Sequence, residues 1–295
     1  MTMPIQDEQH HACIEREQLT LKSADKRHIV AMNYKVANAK SVVIISPAMG
    51  MPQTLYEKFA FFLTGHGYAV ISYDYTGFGL SLKGPLKYCK TTARELGELD
   101  GKTVIDFAKQ AYPDLKLQWI GHSLGGQLLG IMPNANELSN AITVASGTGY
   151  WLYNKPKVRR SIWFVWYVIA PLSTKILGYF PGKALGIVAD LPPNVIDQWR
   201  RWCLHKDYAA GVEGPVIRER YASLKTPVKC ISFTDDHFLT KRNVEGLHNQ
   251  FTNAEVDYID VKPEAIGLDF IGHLNWYKEK FKHKIWQEII LPQLL

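Results

Sequence analysis

The stretch Gly121-His122-Ser123-Leu124-Gly125 constrains this chain more than any other because of what flanks it. Leu117 to Ile120 has the pattern of a buried strand, and Leu124 to Met132 that of a short helix. Small residues two before and two after a central position let strand and helix approach closely enough for one sharp turn, which holds that central residue out of the sheet. Here it is a serine. The helix beginning at Leu124 also points free N–H groups and its positive dipole end at the same spot. An isolated match would read as a glycine-rich turn, whereas the strand and helix around this one make Ser123 a candidate nucleophile.

The rest of the chain repeats the same alternation. Gln18 to Leu21 and Ile29 to Lys35 flank a polar SADKR turn and read as a hairpin. Ser41 to Ser46 is a β-branched run closed by a Pro/Gly loop, the pattern of a central parallel strand. Leu55, Phe59, Phe62 and Leu63 then form one helical face ending near Gly65 and Gly67, and Tyr68 to Tyr73 is the next strand. A helix is expected from about Thr91 to Ala111, with a stripe of Leu96, Leu99, Val104, Phe107 and Ala111, followed by strands at 117–120 and at Ala141 to Ala145. From Gly147 to Gly214 no strand pattern is visible. The alternation resumes with a strand at Val228 to Phe233, a helix near Lys241 to Gln250, a strand at Glu255 to Val261 and a helix including Phe281 to Ile289. Strands alternating with helices imply right-handed crossovers: an α/β fold with a mostly parallel central sheet and helices on both faces. The division expected is core over 1–146, an inserted helical cap over 147–214, and core again over 215–295.

Composition narrows the function classes. The chain of 295 residues is 46% hydrophobic, so it can bury a large core, and its net charge of +6 comes from 34 basic and 28 acidic residues that are mostly interspersed. That distribution argues against a nucleic-acid partner. Cys13, Cys89, Cys203 and Cys230 lie far apart with no CxxC pair, which fits reduced thiols in the cytoplasm better than zinc or a disulfide framework. The first residues lack a basic-then-apolar secretory pattern, and the longest apolar run, Ile162 to Leu172, is shorter than the ~18 residues of a membrane span and contains a proline. Gly97 to Thr103 is one residue short of a phosphate loop. No HExxH motif or carboxylate cluster marks a metal site, and no cofactor is expected.

A serine hydroxyl needs a base, and the base an orienting carboxylate. After the strand at 228–233 come Asp235 and Asp236, either of which could be the acid. His273 follows the last strand in a glycine-flanked loop, IGHLNWY. His122 sits inside the serine turn, and His248 and His283 read as helix-face residues. In this topology the expected chain order is serine, acid, histidine, and His237, which adjoins the acid, could serve only by breaking it. Two backbone donors would complete an oxyanion site: the N–H of Leu124, and that of Met49 in the loop Ser46-Pro-Ala-Met-Gly-Met.

Taken together, these motifs resemble the α/β-hydrolase superfamily across nearly the whole chain. SPAMGMPQTLYEKFAFFL resembles the HGxG loop and helix of monoglyceride-lipase-like and serine-aminopeptidase-like hydrolases, and YDYTGFGLS resembles their D-x-x-G-x-G-x-S loop. The PAMG, GHSLGGQLLG, ASGTGYW, GYFPGK, SFTDDHF and IGH stretches are similar to a group of bacterial α/β hydrolases known mainly from sequence. The resemblance implies Ser123 as nucleophile, His273 as base and Asp236 as acid, since the family's acid usually precedes a short turn like Asp236-His237-Phe238. Asp235 remains the alternative. Pro47-Ala48 departs from the family's common His-Gly, which puts the loop's geometry in question more than its donor. The expected activity is hydrolysis of a small-molecule carboxylic ester through an acyl-enzyme. A thioesterase or acyltransferase would use the same residues, and a non-catalytic binding protein is the alternative of a different class.

The insertion carries five of the eight tryptophans, Trp151, Trp163, Trp166, Trp199 and Trp202. The expectation is an apolar pocket for an acyl or aromatic group, with Trp151, Trp163 and Trp166 in its wall; rings that merely pack cap onto core are the competing account. Lys155, Lys157, Arg159 and Arg160 precede an aromatic run, a pairing that suits an anionic membrane surface or substrate group, although a solvated helix start explains it more simply.

Overall fold

The computed structural model describes residues 15–23, 25 and 27–295. Cys13 and the N-terminal segment read above for targeting lie outside the described residues, as do two positions of the hairpin turn. Eight strands form one sheet: β1 Glu15–Lys22, β2 His28–Lys35, β3 Val42–Ser46, β4 Ala69–Tyr73, β5 Leu117–His122, β6 Asn140–Val144, β7 Val228–Phe233 and β8 Val256–Val261. Their order is β1-β2-β4-β3-β5-β6-β7-β8. β1 pairs antiparallel with β2 from Glu15 opposite Lys35 to Lys22 opposite His28, and β2 pairs antiparallel with β4. Every later pairing is parallel.

Burial explains this order. All residues of β3, β4, β5 and β6 are buried, as a parallel strand covered on both faces requires. β1 alternates between exposed and half-buried positions, the signature of an edge. Alternate residues of the central strands feed two cores. Ile44, Ile71 and Trp119 pack on one face with Val104, Ile105 and Ala108 of the helix Lys102–Ala111, while Val43, Val70 and Ile120 pack on the other with Phe59, Ile285 and Trp286.

Three details depart from the sequence pattern. Leu55 is 42% exposed, because the chain makes a tight turn over Gln53–Tyr56 before the helix Glu57–Gly65 and buries Tyr56 instead. In the long helix, a π-type turn over Leu96–Gly101 shifts the phase, so Ala108 is buried and Ala111 exposed. After Ser123 the α-helix lasts only from Leu124 to Gln127 and tightens into a 3₁₀ turn, Leu128–Gly130, where three glycines weaken the regular helix.

Between β6 and β7 the chain leaves the sheet and is helical, with Pro156–Phe164, Val165–Ile169, Ala170–Leu177, Pro193–Leu204 and Tyr208–Val212. Val195, Ile196 and Trp202 of this segment join the same core as Trp119, so the segment is packed onto the sheet. Among the described residues, no helix is long and apolar enough to cross a membrane.

Candidate active site

β3 lies between β4 and β5, so successive connections leave it in opposite directions and open a crevice at the strands' C-terminal ends. Ser46 at the end of β3 is in register with Gly121 at the end of β5, which sets the loop containing Met49 beside the serine turn. Ser123 has φ 51° and ψ −107°, a costly conformation for a side chain with a Cβ. The neighbours hold it there. Its N–H donates to the Val144 carbonyl at 2.9 Å, and the Ser146 hydroxyl donates to its carbonyl at 2.9 Å. The flanking glycines are sterically required, since a Cβ on Gly121 would fall 2.4 Å from the Gly125 carbonyl carbon and one on Gly125 2.3 Å from the Ser46 oxygen.

The loops after β7 and β8 bring two side chains to this turn. His273 Nε2 lies 3.0 Å from Ser123 Oγ, and His273 Nδ1 lies 2.6 Å from Asp236 Oδ2. The other oxygen of Asp236 accepts the N–H groups of Phe238 at 2.7 Å and Leu239 at 3.0 Å. Burial raises the pKa of this carboxyl, but the nearby His273 and these hydrogen bonds outweigh it and hold the acid below its usual range. Asp235 does not touch the imidazole. Its Oδ2 accepts from the Ile271 and Gly272 N–H groups at 2.7 and 2.9 Å, clamping the loop that presents His273.

Met49 lines the cavity in front of Ser123, and Leu124 directly follows the serine. Among the described residues no protein group accepts either N–H. The loop lacking a His-Gly pair is held by tyrosines instead: the Tyr75 hydroxyl donates to the Pro47 carbonyl at 2.9 Å, and the Ala48 N–H donates to the Tyr56 hydroxyl at 3.1 Å. The same Tyr56 hydroxyl lies 2.7 Å from His122 Nδ1, and His122 Nε2 lies 2.9 Å from the His273 carbonyl oxygen. Desolvation lowers His122 to a pKa of about 3, which keeps it neutral. Sequence reasoning missed Tyr56 and His122; the histidine within the serine turn was the only visible signal.

The cavity encloses about 100 Å³, and its wall includes Ile162, Val165, Trp166, Ile196 and Trp199 from the helical segment between β6 and β7. Of the three tryptophans named from the sequence, Trp166 lines this cavity, whereas Trp151 and Trp163 line an open outer groove with Arg159 and Arg160. Helical phase separates them: Ile162, Val165 and Trp166 share one side of the turn, leaving Trp163, Phe164 and Tyr167 exposed on the other. Lys155 is also drawn away from the basic cluster, donating to the Asp236 carbonyl at 3.2 Å. His248 is buried against Thr143, and His283 pairs with Glu288 on the surface. Cys89, Cys203 and Cys230 form no disulfide, and no cluster of three His, Cys, Asp or Glu among the described residues is placed to hold a metal.

Residues 37–176 match the family model described as serine aminopeptidase, S33. This chain has the α/β-hydrolase fold. Solved structures with the same fold include DcsB in complex with its substrate analogue, 14% identical over 95% of this chain and 100% of that chain, TM-score 0.64. A highly thermostable carboxyl esterase from Bacillus coagulans, in complex with glycerol, is 15% identical over 84% and 90% of the two chains, TM-score 0.58. Est816, described as an N-acyl homoserine lactone degrading enzyme, is 15% identical over 82% and 92%, TM-score 0.53. No curated protein matches this chain in sequence.

Proposed function

We propose that this hydrolase is a serine esterase that cleaves a small carboxylic ester with a largely apolar acyl group through an acyl-enzyme. The observation that carries the reading is the hydrogen-bonded series Asp236, His273, Ser123 at the mouth of an apolar cavity. His273 Nε2 takes the Ser123 proton as Oγ attacks the ester carbonyl carbon, and the Asp236 carboxylate stabilises the imidazolium. The N–H groups of Met49 and Leu124 hold the negative oxygen of the tetrahedral intermediate. Collapse breaks the carbon–oxygen bond, His273 returns the proton to the departing alcohol, and water repeats the sequence to release the acid. A thioester would follow the same course with a thiol leaving.

In this reading 147–214 is a cap that shapes the acyl pocket, and 1–146 with 215–295 is the catalytic core. The widely spaced cysteines support a reducing, cytoplasmic setting. The esterase among the structural neighbours supports ester chemistry.

The test is labelling with a fluorophosphonate, which reacts with activated serines. Wild type labels and Ser123→Ala does not; absence of wild-type labelling, or equal labelling of the variant, overturns the assignment and favours a binding role. An ester series from acetyl to decanoyl checks the pocket, and indifference to chain length counts against an apolar wall.

A further inference from the structure

Between Asp74 and Glu95, and again between Glu137 and Asp190, the chain has no acidic residue. These two stretches hold ten lysines and arginines, more than the net charge of +6, so the remainder of the chain is net negative. Lys83, Lys87, Lys157, Arg160, Lys175 and Lys183 are exposed and form no ion pair among the described residues. The fold brings the two stretches into contact. A Cβ on Gly178, at the end of the helix Ala170–Leu177, would fall 2.8 Å from Lys87 Cβ.

The surface on which they meet is apolar where a surface helix is normally polar. From Pro156 to Leu177 the chain is helical, with one π-type turn over Val165–Ile169. Ile162, Val165 and Trp166 on its inner side line the Ser123 cavity. Trp163, Phe164, Tyr167, Leu172 and Ile176 are each at least 44% exposed, and Ile176 reaches 75%. A helix apolar on both sides is ordinarily covered on both, and a contiguous exposed apolar patch marks a surface that meets something else. Cations stand at both ends of this one: Lys157 and Arg160 precede the aromatic run, while Lys175 and the neighbouring Lys87 lie at the far end.

We propose that this face docks on an anionic phospholipid bilayer, with the aromatic and aliphatic side chains entering the headgroup region and the lysines and arginines facing lipid phosphates and carboxylates. The segment lies on the surface and does not span it, since among the described residues no helix is long and apolar enough to cross. Charge selects the occupant. A second copy of this chain would set the same uncompensated cations against one another. A bilayer instead supplies a plane of negative charge directly above an apolar medium, which matches cations flanking an apolar stripe. The docking is independent of the serine-esterase reading.

The test is co-sedimentation of the full chain with vesicles of phosphatidylcholine alone or mixed with phosphatidylserine. Partitioning should be at least about tenfold stronger on the mixed vesicles and should weaken as salt is added. Phe164→Ser with Ile176→Ser should lower it by about tenfold through lost apolar burial. Lys157→Glu with Arg160→Glu should lower it by at least about tenfold. Lys116→Glu with Lys225→Glu makes the same change in net charge, but these residues precede β5 and β7 at the opposite edge of the sheet, and binding should stay within about threefold of wild type. Thermal melting checks that each variant folds, and if one pair does not, the wild-type comparison and the remaining pairs decide. Wild type that binds neither vesicle, or both equally, overturns the proposal. So do equal losses in the two charge-reversed pairs, which would make the effect one of net charge alone. A dimer in solution that Phe164→Ser with Ile176→Ser dissociates would also overturn it, assigning the face to a second copy.

Discussion

The Tyr56 hydroxyl donates to His122 Nδ1 across 2.7 Å, joining the loop after β3 to the turn after β5. The direction follows from the far side of the ring: His122 Nε2 faces the His273 carbonyl oxygen, which only accepts, so the ring proton is on Nε2 and Nδ1 is left to accept. Through its own oxygen Tyr56 also takes the Ala48 N–H. One hydroxyl and one neutral imidazole thereby connect the Met49 loop with the backbone of His273.

Tyr56→Phe leaves the Ala48 N–H and His122 Nδ1 without partners and should cost ~1–3 kcal/mol of stability. If the connection positions the site, kcat should fall roughly ten- to hundredfold with KM little changed, well below the melting temperature. Steady-state kinetics with thermal melting separates the effects; a destabilised variant with wild-type kcat would reduce Tyr56 to a packing role.

The two adjacent aspartates should separate sharply. Asp236→Asn disturbs the group that orients His273 and should lower kcat by about 10⁴-fold. Asp235→Asn keeps an amide oxygen able to accept the Ile271 and Gly272 N–H groups, so kcat should stay within about fivefold of wild type. Comparable losses in both variants, measured on the same ester, would reverse the assignment.

The serine turn should reject even one methyl group. Gly125→Ala would put its Cβ 2.3 Å from the Ser46 carbonyl oxygen, a backbone atom held in β3, and should give protein without a cooperative melting transition. Gly65→Ala is the control. Nothing lies within 4 Å of its added Cβ, and the change should be neutral or stabilising by up to ~1 kcal/mol.

Asp100 should make stability depend on pH. Its carboxyl is buried and accepts the Thr76 N–H and hydroxyl, and desolvation raises its pKa to about 7. A raised folded-state pKa means the folded protein holds the proton more tightly than the unfolded chain, so this contribution is full below about pH 4 and is lost as pH rises through about 7. Asp100→Asn should therefore gain stability relative to wild type between pH 5 and pH 8. Melting curves at the two pH values test this, and an unchanged or opposite difference counts against it. His122 and His248, lowered to about 3 and about 4, act in the other direction in both proteins: their contribution is lost as pH falls from about 6.5.

The alternation of strands and helices, the edge hairpin and the glycine-framed serine turn were legible in the sequence because each is a local pattern. Period and glycine placement act over a few residues, and the strand at Val228–Phe233 has the expected ends for that reason. The phase shift at Leu96–Gly101 was not legible, since a π-type turn keeps the same residues helical while rotating everything after it. Nor could adjacent residues in one loop reveal that Asp236 meets His273 while Asp235 holds the backbone before it. The tryptophans divide in the same way: their number is a property of the chain, but only the packed helix decides that Trp166 faces the Ser123 cavity and Trp163 the outside. Sequence determined which chemical groups are present and the local turns that carry them. Tertiary structure decided which groups meet, because Tyr56, His122 and His273 come from three separate segments, and their contacts exist only once β3, β5 and β8 bring those segments to one edge of the sheet.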